Sequence, residues 1–248
     1  MKIVAANIVH NAELLIAYAV QSLSWADHII LCNDHCSDNT INILEATRKV
    51  LPCKLTIIPP WFDKTMMLIN QSGKRDIQRE ISIRNQFLQT LFNKYDFDAV
   101  VLFDSDELFS QELRPIIEKV INEKEYNSVA LTCNHLFDKD HYLHIFENSW
   151  NGVYLVDPHV RVLTKFQPYE PGEWKDTPDC MLRPTHRTLC LDGAFHYHLK
   201  YVSTLDLPNY SLKFLPQKLS REILQIYLRP NRYPHPPDLK EMLEKLLQ

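Results

Sequence analysis

Asp104-Ser105-Asp106-Glu107 sets two aspartates two residues apart, directly behind the apolar run Ala99-Val100-Val101-Leu102-Phe103. The run is too short and too continuous for an amphipathic helix. It reads as a strand buried on both faces, as in a parallel sheet. Residues i and i+2 of a strand share a side, so Asp104 and Asp106 are expected to project together from its carboxyl end. That end is the edge where open α/β sheets bind ligands. Two neighbouring carboxylates repel each other unless a cation lies between them or one is protonated. A hard divalent ion with oxygen ligands satisfies the pair, and such ions commonly carry a diphosphate. A solvated acidic turn capping a strand would have the same sequence.

Other residues could join that chemistry. Asp34 leaves an earlier apolar stretch, His28-Ile29-Ile30-Leu31-Cys32, and in a parallel sheet its loop shares an edge with Asp104 and Asp106. On its own Asp34 is as readily a turn former or helix cap. Arg79 and Arg84 are five apart on an expected helix, roughly 140° around its axis, so both could flank a crevice. Each could equally pair with Glu80 or Asp76. His196-Tyr197-His198 puts two imidazoles on one side of a strand. Beside an acidic pair that needs an ion, either is a candidate ligand, and nitrogen ligation favours manganese over calcium. The stretch 168–184 carries Tyr169, Glu170, Glu173, Trp174, Asp176, Asp179 and Arg183. Aromatics beside carboxylates suit a sugar face and a hydroxyl to be deprotonated, although plain surface loops share that composition.

The elements that must position these residues follow from periodicity. Strands are expected at Lys2–Val9, 28–32, Lys54–Ile58, 99–103 and Ser128–Cys133. Helices are expected at about Ala12–Leu23, Asn42–Val50, Asp76–Phe92 and Leu113–Glu123, with Ser37 or Asp38 capping the second. In the third helix Ile77, Ile81, Phe87, Leu88 and Leu91 are the candidate core positions. Alternation of strand and helix with short loops implies right-handed crossovers and a mostly parallel α/β sheet flanked by helices. Past residue 135 the pattern loosens into short strands, Val160–Phe166 and Ala194–Leu199. From about Val202 the chain reads as helical, interrupted at Pro230–Pro237, with a last helix over Asp238–Leu247.

At 248 residues the chain can bury a full core. Hydrophobic content of 45% and charged content of 23% are ordinary for a globular protein. A net charge of −4 gives no reason to expect nucleic acid as a partner. A local excess of basic residues over 199–235 fits a solvated face, a phosphate-attracting rim or a weak membrane-surface patch, in that order. With only four glycines there is no GxGxxG and no Walker loop, so a phosphate would need metal and side chains. That argues against a nicotinamide-dependent dehydrogenase or a P-loop ATPase. The six cysteines include no CxxC; Cys32, Cys53 and Cys133 read as reduced core residues, which makes a cytoplasmic location the default. The apolar start is broken by Asn7, His10, Asn11 and Glu13, and reads as a strand and helix rather than a signal peptide.

These residues resemble the GT-A-fold glycosyltransferases of the family 2 type. The likeness is carried by Ile8-Val9-His10-Asn11-Ala12-Glu13, by the segment Trp25–Thr40, by Ile83-Arg84-Asn85 and by Leu102-Phe103-Asp104-Ser105-Asp106-Glu107. Arg161-Val162-Leu163, Trp174 and Gly193–His198 are similar to acceptor-side elements. The resemblance implies a GT-A-like domain over 1–201, with a nucleotide-sugar-binding half at 1–134 and an acceptor and metal half at 135–201. A helical extension would follow at 202–248. It implies a UDP- or GDP-sugar donor, manganese or magnesium, and inverting transfer to a hydroxyl of a glycan, a lipid-linked or a protein acceptor, with at most peripheral membrane contact.

By position, the resemblance gives Ile8, Asn11, Glu13, Asp34, Arg79, Arg84, Asp104 and Ser105 to the nucleotide-sugar. Asp104 and Asp106, with His198 or His196, would hold the metal. Asp179 would be the base, with Asp176 or Glu173 as alternatives. Asn33 and His35 stand where the family usually has Asp and Gly. The Leu102–Asp106 run is also similar to haloacid-dehalogenase-type phosphatases, in which Asp104 would be the nucleophile. A sugar-nucleotide-binding module without catalysis is a third reading.

Overall fold

The computed structural model describes residues 1–66, 75–136, 141–143, 147–174, 177–199, 228–230 and 235–246. Through residue 131 the chain alternates strand and helix: β1 (Ile3–Val9), α1 (Ile16–Ser22), β2 (His28–Asn33), α2 (Thr40–Arg48), β3 (Lys54–Ile58), α3 (Ile77–Lys94), β4 (Ala99–Leu102), β5 (Glu107–Phe109), α4 (Leu113–Glu123) and β6 (Ser128–Leu131). Short strands then dominate: β7 (Asn134–Leu136), β8 (His141–Leu143), β9 (Glu147–Trp150), β10 (Val153–Val156), β11 (His159–Leu163), β12 (Glu170–Trp174), β13 (Thr177–Met181), β14 (Thr188–Leu191), β15 (His196–His198) and β16 (Leu228–Pro230). Helix α5 (Pro237–Leu246) ends the described chain.

The main sheet has the order β14-β6-β11-β4-β1-β2-β3. Every neighbouring pair is parallel except the two that β11 makes, with β4 and with β6. The expected mostly parallel α/β sheet is what forms. Its strands are apolar on both faces because helices cover both. Ile3, Ala5, Ala99 and Val101 point to one side, where α1, α2 and α4 contribute Ile16, Val20, Leu44 and Ile117. Val4, Ala6, Val100 and Leu102 point to the other, against Ile83, Phe87, Leu88 and Leu91 of α3. Asp76 caps α3 by accepting the Arg79 N–H at 3.1 Å.

A second sheet, β16-β8-β7-β15-β5, stands beside the first. Its Leu108, Leu136 and Tyr197 join Leu239, Leu243 and Leu246 of α5 in a separate cluster, and Asp238 accepts hydrogen bonds from Ser110 Oγ and the Gln111 N–H. Residues 228–230 pair with β8, so a strand occupies a stretch read as helical from sequence. Of the basic residues over 199–235, only Arg229 falls within the described residues. No helix of the described residues is long and apolar enough to cross a membrane.

Two local expectations are corrected. Helix α1 begins at Ile16 because residues 12–15 make a turn, with the Ala12 N–H held by Thr40 Oγ1 at 2.7 Å. Neither Ser37 nor Asp38 is the capping residue of α2; Asn39 stands there without a side-chain cap, while Asp38 Oδ1 accepts the Thr40 N–H at 3.1 Å.

Candidate functional site

The strand order reverses between β1 and β4, since β2 and β3 extend one way from β1 and β4 lies on its other side. Such a reversal opens a crevice at the carboxyl ends of the strands. A cleft lies there, lined by Ala6, Asn7 and Ile8 of β1, by Leu102, Phe103 and Asp104 after β4, and by Arg84, Phe87, Leu88, Arg161 and Tyr169. Of the residues expected to touch a nucleotide-sugar, Ile8, Arg84 and Asp104 are brought together here. Ser105 is adjacent, its hydroxyl accepting the Asn7 Nδ2 hydrogen at 3.0 Å.

Charge at the cleft is arranged in layers. Asp104 is partly exposed and lies 3.0 Å from Arg161 Nη2 and 3.9 Å from Arg84 Nη2. Each arginine has a buried carboxylate behind it. Arg84 Nε donates to Glu80 Oε1 at 3.1 Å, and Arg161 donates to Glu107. Glu80 and Glu107 are fully buried. Burial would raise the Glu107 pKa, but Arg161 and His196 hold it well below the usual carboxylate range. Glu80 is likewise held low by Arg84 and Arg75 against its burial. Both guanidinium groups are thereby fixed from behind.

Tyr169 closes one wall. Asn85 grips its backbone, donating from Nδ2 to the Tyr169 carbonyl at 3.0 Å and accepting its N–H at 2.6 Å. The Arg84 guanidinium lies 5.3 Å from its ring centroid, and burial pushes its phenol up to about 12. Arg161 and Tyr169 are cleft residues that sequence reasoning left among acceptor-side elements and a turn-rich stretch. A buried arginine on a strand carries a signal only once its neighbour, Glu107, is known.

Asp104 and Asp106 do not share one side of a strand. Strand β4 ends at Leu102, and the chain turns with the Glu107 N–H donating to the Asp104 carbonyl at 3.2 Å. The two-residue alternation lapses there. Asp104 faces the cleft, whereas Asp106 is 7% exposed and its Oδ2 lies 3.0 Å from His198 Nε2. His196 stacks on Phe109 at 4.7 Å, with Nε2 3.0 Å from Glu107 Oε1, and burial lowers its pKa to about 4. The carboxylate oxygens of Asp104 and Asp106, on one tight turn with an imidazole at Asp106, are a donor chemistry that suits manganese or magnesium.

The remaining candidates are spread along the same edge. Asp34 is fully buried, and both its oxygens accept the Met66 N–H, at 3.0 and 3.2 Å. Burial raises its pKa despite Met66, His10, His35 and Arg79. Arg79 ties α3 to the carbonyl of Lys64 at 3.1 Å and to Asp63 at 3.4 Å. Asn11 and Glu13 link two loops: Asn11 Oδ1 accepts the Ser37 N–H at 2.8 Å, and Glu13 Oε2 accepts the Asn39 N–H at 3.0 Å. His35 adopts a φ of 53°, the left-handed conformation in which glycine is the usual occupant. Asp179, on β13, pairs with Arg75 at 3.1 Å and is not among the cleft-lining residues. Glu173 lies on β12, and Asp176 falls outside the described residues. All six cysteines are free thiols, with Cys32 and Cys133 buried and Cys53 half-buried.

No family model and no curated protein matches the chain. Among solved structures, it is similar to residues 1-349 of S. aureus TarS at 16% identity and a TM-score of 0.48, covering 81% of this chain and 61% of that one. The same protein in complex with UDP-GlcNAc aligns at 17% identity and a TM-score of 0.41, over 55% of this chain and 35% of that chain. A mycobacterial protein aligns at 14% identity and a TM-score of 0.37, over 54% and 41% of the two chains. In each case this chain spans less than two thirds of the other's length.

Proposed function

We propose that the protein transfers a sugar from a nucleoside-diphosphate donor to an acceptor hydroxyl, with the diphosphate seated at the carboxyl edge between β1 and β4. The observation that carries this reading is the cleft-facing trio Arg84, Arg161 and Asp104 at the point where the strand order reverses. Cleavage of a sugar–diphosphate bond accumulates negative charge on the leaving group. Guanidinium groups already fixed by Glu80 and Glu107 can meet that charge without reorganising. A divalent ion, manganese or magnesium, would be held from the cleft by Asp104, with Asp106 joining it once the 104–107 turn re-aims its carboxylate from His198, and would neutralise further charge on the diphosphate. Ile8 and Phe87 give the cleft its apolar wall, and Tyr169 offers a half-buried ring beside Arg84.

Inversion requires a base that takes the acceptor proton as the oxygen attacks the anomeric carbon. Asp179 is assigned that role; Arg75 orients its carboxylate. The donor is a UDP- or GDP-sugar, and the acceptor a glycan, lipid-linked or protein hydroxyl.

The test is a screen of UDP-, GDP- and CMP-sugars with manganese, reading nucleotide release. Release from one donor class, lost on chelation, is the expected result. Inorganic phosphate from a phosphomonoester, with no nucleotide from any donor, would replace this reading with the phosphatase one.

A further inference from the structure

We propose that the chain also binds a transition-metal ion of the zinc type, held by Cys133, His135 and His198 in a site behind the cleft. Each of the three offers one donor atom, and these atoms all lie within 4.8 Å of one another. Strand geometry creates the juxtaposition. Cys133 immediately precedes β7 and His135 lies two residues on within it, with their donor atoms brought to the same place. Strand β15 pairs with β7 in a parallel register that sets His198 opposite His135, with ring centroids 4.9 Å apart. One thiolate with two imidazoles is a donor set for zinc, not for the hard ions that suit Asp104.

What surrounds the ligands fits that assignment. His198 Nε2 lies 3.0 Å from Asp106 Oδ2, and His135 Nε2 contacts Asp157. A carboxylate on one imidazole nitrogen orients the ring and raises the basicity of the other toward a metal. Asp157 reaches His135 from a backbone held at a φ of 39°, a costly conformation for a residue with a side chain. The Cys133 sulfur is also grouped at the same spacing with Glu107 and His196, and with Asp157 and His159. Donors of a tetrahedral zinc at about 2.0–2.3 Å stand roughly 3.3–3.8 Å apart, so closure on an ion needs a contraction of at most about 1.5 Å. The fourth position falls to the Asp157–His159 side or to water. As the sulfur–metal bond forms, the Cys133 thiol proton leaves to water and no electron is transferred.

The test uses the full chain stripped with chelator, then titrated with Zn²⁺ and separately with Co²⁺. One tightly held equivalent per chain is expected, together with a thiolate-to-cobalt charge-transfer band and the intense visible bands of a four-coordinate ion. Cys133→Ser should abolish the charge-transfer band, whereas Cys180→Ser, on β13, should keep it. If Cys133→Ser does not fold, His198→Ala is the second variant, with Zn²⁺ affinity expected to fall at least roughly tenfold. The proposal is overturned by absence of stoichiometric uptake, by uptake without a thiolate band, or by a band or affinity that ignores these substitutions. None of these readouts depends on sugar transfer.

Discussion

Asp104 and Asp106 are two residues apart and live in different surroundings. Asp104 sits at the lip of the cleft among guanidinium groups, with a side chain 38% exposed. Asp106 is buried against the His198 imidazole, which is itself grouped with Cys133 and His135. The difference follows from where β4 stops. Continuation of the strand by four residues would have given both carboxylates one face and one set of neighbours. The turn at residues 104–107 splits them, so that one faces the cleft and the other is tied to the second sheet through His198.

Substitutions at the two positions sharpen that contrast. The largest expected effect is on turnover: Asp106→Asn should reduce transfer below detection in a coupled nucleotide-release assay while circular dichroism stays native. Full activity in that variant would detach Asp106 from the chemistry. Next comes Arg161→Met, which strands the fully buried Glu107 without its guanidinium partner. A cost of about 3–5 kcal/mol in urea unfolding is expected. Asp104→Asn touches the same arginine from the exposed side and should cost at most about 1 kcal/mol. Equal costs would mean that the two carboxylates are not differently embedded. Arg84→Met should lower kcat roughly 10²–10³-fold, the usual scale for a fixed charge-stabilising donor.

The smallest effect concerns Asp34. Its folded pKa is raised by burial, so between the unfolded and folded values the native state holds more protons than the unfolded chain. Stability therefore falls as pH rises through that window and is recovered as pH drops. Asp34→Asn keeps an acceptor for the Met66 N–H and removes the buried charge. It should flatten the pH profile of the urea midpoint just above the ordinary carboxylate range, and leave the protein at least as stable at neutral pH. A profile unchanged by the substitution would contradict the burial argument.

Legibility in the sequence tracked the range of the interactions. The elements through β6, apart from the three-residue β5, were readable because each is set by local periodicity. Ile77, Ile81, Phe87, Leu88 and Leu91 of α3 are all buried as their spacing requires, and β3 and α4 fall where pattern puts them. Of the short strands after residue 135, only those read at Val160–Phe166 and Ala194–Leu199, which overlap β11 and β15, were readable. Three- and four-residue strands carry too few side chains to show alternation, and their pairing joins residues far apart, such as Glu107 with His198. The site divided in the same way. The Asp-x-Asp pair and Arg84 stood out by type and spacing. The partnership of Arg161 with Glu107, and Asn85 clamping Tyr169, exist only across the fold. Cys133-Asn134-His135 and His196-Tyr197-His198 each had the two-residue spacing of ligands on a strand. Only the register of β7 against β15 joins them.

The most direct test of the nucleotide cleft is calorimetric titration of the protein with UDP and with GDP, with and without manganese. One of the two should bind at a single site, more tightly with the metal, and Asp104→Asn and Arg84→Met should each weaken that binding at least tenfold. Failure of both nucleotides to bind, or binding indifferent to both substitutions, would contradict a diphosphate seated between β1 and β4.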